Sequence, residues 1–282
     1  PTRDQQTHVK ELESKIQQAE QRVTQAALNS DEKYASWLKQ RAAIDLLARD
    51  ALIAHYPLDN HDSNTAIRNK VRKDKHGRVL FSSNKNVKKG ADLITNKNNE
   101  PKGILLNGDD ALYFPDENSF NRATPFTVAI KAKLPDTLKS GALFHHNKSS
   151  TLYAYKGFDV SIEDNHWVVR VARTYPYNAI ALRSEQSVIK EQWQHIALTY
   201  DGSSKAKGVT LYVNGLPIKM KVERDNLYKD ISHPEPDNLG LVAGLKVGAR
   251  WRDRGAANTW VHDFKVWSRD LSSVEVIANK NL

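Results

Sequence analysis

From Leu52 onward the apolar residues of this chain recur at every second position, in short runs separated by turn-forming residues. The runs "LIAHYPLD" (52–59), "GILLNG" and "ALYF" (103–114), "FTVAIKAKL" (126–134), "GALFHH" (141–146) and "FDVSIED" (158–164) open the series. "HWVVRVAR" (166–173), "AIALRS" (179–184), "QHIALTY" (194–200), "VTLYVNGLPI" (209–218), "LKVGARW" (245–251) and "WVHDFKVWS" (260–268) complete it. Alternation sends one side chain inward and the next outward, the pattern of a half-buried strand. Most runs are bounded by Gly, Asn, Asp or Pro. Short strands at this spacing, with no helices between them, predict a two-sheet antiparallel sandwich or a barrel. The tail "SSVEVIANKNL" predicts a short closing helix, and no solenoid repeat is present.

The first 50 residues follow a different period. Val9, Leu12, Ile16, Ala19, Val23 and Ala26 recur in steps of three and four, an apolar seam on a helix. Asn29 with Glu32 resembles a capping box and starts a second helix whose face carries Tyr34, Trp37, Leu38 and Arg41. The pattern predicts an N-terminal helical hairpin over residues 1–50, laid against a β-sandwich over residues 51–282. An intermolecular coiled coil is the alternative, disfavoured because the seam stops after about three heptads.

Composition narrows the partners. An apolar fraction of 39% in 282 residues suffices for a core. With no cysteine there is neither a disulfide framework nor a thiolate metal site, and compartment stays open on that count. No apolar run reaches the roughly 18 residues of a membrane span. The opening "PTRDQQTHVKELESK" lacks the apolar centre of a signal peptide, and a start on Pro1 is expected of a processed product or a piece of a longer chain. The net charge of +9 calls for an anionic partner. Basic residues crowd between Arg68 and Lys102, where Asn and Ser predict a solvated, mobile loop. No helix, finger or aromatic-sheet motif for nucleic acid accompanies the charge, so no nucleic-acid partner is expected.

The stretch "EQWQHIALTYDGSSKAKGVTLYVNG" (191–215) is a hairpin signal. Trp193 and Tyr200 end one strand and are expected to pack in the core. Asp201-Gly202 and Asn214-Gly215 are turn pairs. Its pattern, W-x-H-x-A-L-T-Y-D-G followed by L-Y-V-N-G, resembles the central hairpin of laminin-G-like, concanavalin A-like jelly-roll modules. "IAHYPLD", "LLNGDDALYF…TPFTVAIKAKL" and "WVHDFKVWSRDLSSVEV" resemble other parts of that module in the same order, over about residues 50–282. The longer form, with "YPYNAIALRSE" before it, is similar to segments inside large multidomain bacterial proteins that also carry cytochrome c-like domains. The resemblance implies a two-sheet antiparallel jelly roll in an exported parent protein.

The same resemblance implies a Ca²⁺ site between the opening strand, the Asn-Gly-Asp turn and the closing strand. By position these are Asp59, Asn107, Asp109 (with Asp110 as its alternative) and Asp263. Hard oxygens suit the ion, and Asp263, an acid amid strand residues, is costly to bury unpaired. Turn formation by Asp59 and Asp109, with Asp263 paired to an arginine, is the alternative.

Sugar binding needs aromatic faces flanked by planar hydrogen-bonding groups. Arg173, Tyr175, Tyr177 and Asn178 in "RTYPYN" and Arg250, Trp251, Arg252 and Arg254 in "RWRDR" supply both. Arginines beside a tryptophan suit a carboxylate or sulfate, although a surface strand with cation–π stacking has the same composition. His145 and His146 are neighbours on a strand, point to opposite faces and do not share an ion; they, His195 and His262 are expected to be satisfied structural histidines. Catalysis lacks a motif. A glycosidase needs two carboxylates about 5–9 Å apart. The Glu-x-Asp-x-x-Glu strand of the glucanase version of the fold is missing, Glu163 and Asp164 face apart, and no nucleophile elbow or P-loop is present. The expectation is a non-catalytic, lectin-like module for a glycan, with the charge favouring an anionic one. The alternatives are a structural module that docks other domains of its parent, and a polysaccharide-degrading enzyme.

Overall fold

The computed structural model describes residues 5–22, 49–59, 66–80, 103–117, 119–147, 153–232, 244–250 and 255–280. The chain divides into two compact units, Pro1–Arg49 and Asp50–Leu282. In the first, a helix, α1, runs over residues 5–22, with Val9, Leu12 and Ile16 of its apolar seam exposed. The expected second helix, and Val23 and Ala26 of the seam, lie outside the described residues.

The second unit is built from strands. In chain order they are β1 (Leu52–Tyr56), β2 (Ile67–Arg68), β3 (His76–Leu80), β4 (Ile104–Leu106), β5 (Ala111–Phe114), β6 (Phe126–Lys133), β7 (Gly141–His145) and β8 (Gly157–Glu163). There follow β9 (His166–Thr174), β10 (Asn178–Ser187), β11 (Trp193–Tyr200), β12 (Val209–Val213), β13 (Leu216–Pro217), β14 (Met220–Asp225), β15 (Leu245–Gly248) and β16 (Thr259–Trp267). A helix, α2 (Ser273–Lys280), closes the chain. Among the described residues a seven-stranded sheet runs β1-β16-β6-β11-β12-β13, with β4 also on β16. A nine-stranded sheet runs β14-β10-β9-β8-β7-β15-β5-β3-β2. The ladders are antiparallel, giving the two-layer sandwich that the alternation predicts, in the jelly-roll form that the resemblance implies.

Alternate residues of both sheets meet between the layers. Phe126, Val128, Ile130 and Ala132 of β6 face Phe158, Val160 and Ile162 of β8 in one continuous core. Rings stack through it, with Tyr56 4.2 Å from Phe114 and Phe114 5.0 Å from Phe264. A second, smaller core lies on the outer face of the seven-stranded sheet, where Trp267, Tyr212, Ala129 and Ala197 are covered by Leu271 and Val276 of the closing segment.

Strand parity corrects one expectation. Tyr200 is fully buried in the main core, but Trp193 stands seven residues away on the same strand and therefore on the opposite face, half-buried on the outside of the sheet. The basic segment also departs from a wholly solvated loop. Residues 66–80 form β2 and β3, and Arg72 is ion-paired with buried Glu117, which also accepts a hydrogen bond from the Tyr56 hydroxyl at 3.1 Å. Residues 81–102 lie outside the described residues.

Both turn pairs form as expected. Asn214 and Gly215 take φ of +54° and +86°, joining β12 to β13, and the Asn214 side-chain oxygen accepts the His195 N–H at 3.0 Å. Gly202, at φ +78°, passes so close to Ala123 that a Cβ there would meet its carbonyl oxygen at 2.6 Å. A bulge in β16 accounts for the acid amid apolar residues. The register slips between His262 and Lys265, and Asp263 takes φ +55°. The extra residue keeps Phe264 in the core while the Asp263 carboxylate turns to the outer face.

Candidate functional site

The turn between β9 and β10 and the turn before β8 meet on the outer face of the nine-stranded sheet. The Tyr175 N–H donates to the Ala154 carbonyl at 2.8 Å, which brings the Tyr155 and Tyr175 rings edge to face at 5.6 Å. Beneath them lies the Arg170 guanidinium, 4.3 Å from the centre of the Tyr155 ring and 5.2 Å from that of Tyr175. Arg250 approaches the Tyr155 ring at 5.0 Å. Both arginines converge on one carboxylate: Asp159 accepts from Arg170 at 3.0 Å and from Arg250 at 3.1 Å. Ser161 donates to the same Asp159 oxygen at 2.7 Å, and Arg170 also binds Glu163. Glu163 accepts from Arg183 at 3.4 Å, and Arg183 continues to Glu223 at 3.1 Å. The result is a ladder of opposite charges running across β8, β9, β10 and β14. Its inner members are buried, and burial pushes the Tyr155 hydroxyl up, so the ring stays a neutral phenol.

Beside this base the surface is aromatic and exposed. Tyr177 is 77% exposed and Tyr228 64%. Two amides hold their backbones in one frame. The Asn178 side-chain oxygen accepts the N–H groups of Tyr228 and Lys229, each at 3.1 Å, and the Asn226 amide donates to the Tyr177 carbonyl at 2.7 Å. Arg173 is exposed on the same hairpin, and the Lys229 ammonium lies 5.9 Å from the centre of the Tyr228 ring.

Of the ligand residues expected from sequence, the structure brings Arg173, Tyr175 and Tyr177 together on the β9–β10 hairpin and places Arg250 under the neighbouring Tyr155. Asn178 is a correction: it is 4% exposed and its carbonyl oxygen is spent on two backbone donors, so it braces the platform instead of facing a ligand. Trp251, Arg252 and Arg254 lie outside the described residues. Sequence reasoning missed Tyr155, Asp159, Arg170 and Tyr228. Tyr228, in "NLYKD", follows an edge strand without apolar alternation, so no periodic signal marks it.

The residues expected for calcium do not fit that ion. Asp263 accepts from His55 Nε2 at 2.8 Å, Lys265 Nζ at 2.9 Å and Lys131 Nζ at 3.2 Å, a basic surround that repels a dication. Burial alone would raise the Asp263 carboxyl, but His55, Lys265 and Lys131 hold it well below the usual carboxylate range. Its partners are lysines and a histidine, not the arginine of the alternative. The Asn107 side-chain oxygen accepts the N–H groups of Asp109 and Asp110, and its amide donates to Asp110 at 2.8 Å, so the turn is closed on itself. Asp59 and Asp109 are exposed. Among the described residues no three His, Asp or Glu side chains gather as a metal site requires.

The histidine expectation divides. His145 is satisfied by the Ala249 carbonyl and the Asn147 N–H, whereas His146 is held, among the described residues, by ring contacts with Phe120 and Phe158 and not by hydrogen bonds of its ring nitrogens. His195 and His262 are not satisfied: both ring nitrogens of His195 and Nδ1 of His262 are buried without a hydrogen-bond partner among the described residues.

The family model Laminin_G_3, described as the concanavalin A-like lectin/glucanases superfamily, matches residues 106–277, more than half of the chain. No curated protein matches it. Among solved structures, the binding domain of Paraclostridial Mosquitocidal Protein 1 superposes with a TM-score of 0.56 at 16% identity, over 83% of this chain and 52% of that one. The receptor binding domain of botulinum neurotoxin D gives 0.54 at 12%, over 83% and 53%. Trypanosoma rangeli sialidase, in complex with 2,3-difluorosialic acid, gives 0.53 at 13%, over 82% and 33%. The chain thus spans about half the length of the toxin domains and a third of the sialidase. At these identities the likeness is one of fold alone. The family match rests on the chain's own sequence, and by it the chain belongs to the concanavalin A-like lectin/glucanases superfamily.

Proposed function

We propose that the chain is a non-catalytic, lectin-like module that binds an anionic glycan through Tyr175, Tyr177 and Tyr228, within an exported bacterial parent protein. The observation that carries this reading is the pair Tyr177 and Tyr228, 77% and 64% exposed, whose backbones are fixed by the side chains of Asn178 and Asn226. Exposed rings on a braced backbone offer flat apolar area to the C–H face of a sugar, with only the side-chain torsions left to order on binding. Arg173 beside them, and Lys229 over Tyr228, supply charge for a carboxylate or sulfate. Trp251 and Arg252 directly follow Arg250 in sequence and belong to the same proposal. The non-catalytic part rests on the carboxylates: Asp159 and Glu163 both bind the Arg170 guanidinium, which suits bracing and not acid–base work. Export follows from the resemblance to segments of multidomain bacterial proteins.

A second reading, a module that docks a protein partner or another domain of its parent, draws on the same exposed tyrosines. One structural neighbour, the binding domain of botulinum neurotoxin DC, was solved in complex with rat synaptotagmin II, a protein partner. Affinity electrophoresis through gels of acidic and neutral polysaccharides separates the two. Glycan binding predicts retardation by an acidic polysaccharide that is lost in Tyr177→Ala and Tyr228→Ala. Domain docking predicts no retardation by any polysaccharide, and release of reducing ends or unsaturated products would instead mark an enzyme.

A further inference from the structure

The outer face of the seven-stranded sheet carries chemistry that neither the core nor the tyrosine platform uses. Two cross-strand rows lie side by side there. Trp193 on β11 pairs with Lys133 on β6, which pairs with Trp260 on β16. One step along, His195 pairs with Lys131, which pairs with His262. The alternating neighbours along these strands, Ala132 and Val261 between the rows and Ile130 and Ile196 beyond them, belong to the main core, so parity turns both rows outward. With neighbouring strands about 4.8 Å apart, each row spans about 10 Å. The Trp193 indole crosses toward β16 and meets the His262 ring edge-on at 6.4 Å. Trp193, Trp260, His262, Lys131 and Lys133 keep part of their surface in water.

This patch is rich in donors and poor in acceptors. Lys131 and Lys265 share the single Asp263 carboxylate, which His55 engages as well. Lys265 also reaches the Asn279 side-chain oxygen, at 3.5 Å. Trp193 Nε1, both ring nitrogens of His195 and Nδ1 of His262 are buried and have no hydrogen-bond partner among the described residues. His195 itself is only 4% exposed. Buried polar groups are ordinarily satisfied. Among the described residues Glu117, Arg170 and Asn178 elsewhere also hold an unpartnered atom each, but here four such nitrogens lie on two adjacent cross-strand rows and mark where an acceptor belongs. An indole N–H only donates, a neutral imidazole carries one N–H, and an ammonium has no acceptor. Burial, with Lys265 and Lys131 nearby, lowers His195 to about 4, so at neutral pH its ring is neutral and presents one N–H.

The geometry points to an oxyanion subsite on this face, in which Lys131, Lys133 and His195 hold the carboxylate or sulfate of an acidic sugar whose ring lies against Trp260. Such a group brings the lone pairs that the orphaned nitrogens lack, and its negative charge suits the lysines beside them. The subsite uses no residue of the tyrosine platform, and the inference stands apart from the function proposed for that platform.

The test is a calorimetric titration of the full chain, at constant ionic strength, with galacturonate oligomers, a sulfated disaccharide, a neutral gluco-oligosaccharide and inorganic sulfate. The side-chain nitrogens of the histidines are followed by NMR. Expected are binding of the acidic sugars but not of the neutral one, a shift of the His195 ring nitrogens on saturation, and affinity at least tenfold weaker in Lys133→Gln and Trp260→Ala. Tyr177→Ala leaves these values in place, which distinguishes this subsite from the tyrosine platform. Because Lys131 supports Asp263, Lys131→Gln is read only after its melting curve matches the parent. Acidic sugars that bind without moving the His195 signals, or with affinity unchanged in both Lys133→Gln and Trp260→Ala, overturn the subsite. Inorganic sulfate binding at these residues while the acidic sugars do not overturns the sugar assignment.

Discussion

Asp159 and Arg170 face each other across β8 and β9, their side chains 3.0 Å apart and almost fully withdrawn from water. Removing one partner of such a pair leaves a buried charge without compensation, at a cost of about 3–5 kcal/mol. Asp159 also holds Arg250, so Asp159→Asn takes this carboxylate from two guanidinium groups at once, while Arg170 keeps Glu163. Urea denaturation of Asp159→Asn is expected to show a loss of about 3–5 kcal/mol with the slope unchanged. A loss below about 1 kcal/mol removes the charge ladder as the support of the tyrosines.

Gly202 makes a backbone prediction. It combines φ +78° with a site where a Cβ would lie 2.6 Å from the Ala123 carbonyl oxygen. Gly202→Ala is expected to cost at least the roughly 1–2 kcal/mol of a left-handed alanine, and a thermal midpoint equal to that of the parent contradicts the turn as described.

Much of this fold is legible in the alternation. "FTVAIKAKL", "QHIALTY" and "WVHDFKVWS" become β6, β11 and β16 because each buries every second residue against the opposite layer. The strands left unread, β14, β2 and β3, lie at or beside the edges of the nine-stranded sheet, where little is buried and composition carries no period. The site was legible only in part. "RTYPYN" contains its hairpin, but the Tyr155–Arg170–Asp159 stack joins residues from separate strands, and no spacing in the sequence announces a cross-strand pairing. Asp263 was conspicuous for the right reason, a costly acid in a strand. Its partners, Lys131 and His55, come from other strands, so the sequence gives their identity no local mark.

Calcium provides a separate check. With Asp263 held among Lys131, Lys265 and His55, neither millimolar Ca²⁺ nor a chelator is expected to move the melting temperature. A rise with Ca²⁺ that the chelator reverses shows a native-state ligand, as mass action requires, and overturns that assignment.

Acid is expected to weaken the fold in two stages. His195 is lowered from 6.5 to about 4 by burial and by Lys265 and Lys131. His145 and His262 are lowered as well, chiefly by burial. Below pH 6.5 the unfolded chain therefore takes up protons that the folded chain refuses, and stability falls as pH drops from 6.5 toward 4. For His195 the loss by pH 5 is on the order of 2 kcal/mol. Asp263, whose carboxyl is depressed in the folded state, adds a further loss below its ordinary value of 3.8. Glu117 works in the opposite direction, since burial raises its carboxyl above 4.5 and protonation there favours the folded state. Three histidines outweigh one glutamate, so the urea midpoint is expected to decline between pH 7 and pH 5. A midpoint that is flat or rising over that interval contradicts the burial assigned to these histidines.

Substituting Tyr177 and Tyr228, both exposed, is expected to leave stability within about 0.5 kcal/mol of the parent. That makes them clean probes of binding. The most direct measurement is the mobility of the folded chain through a gel containing an acidic polysaccharide, compared with Tyr177→Ala, Tyr228→Ala and the double variant. A glycan platform predicts retardation of the parent, reduced in each single variant and abolished in the double. Equal retardation of all four proteins, or free passage of the parent through every polysaccharide, contradicts it.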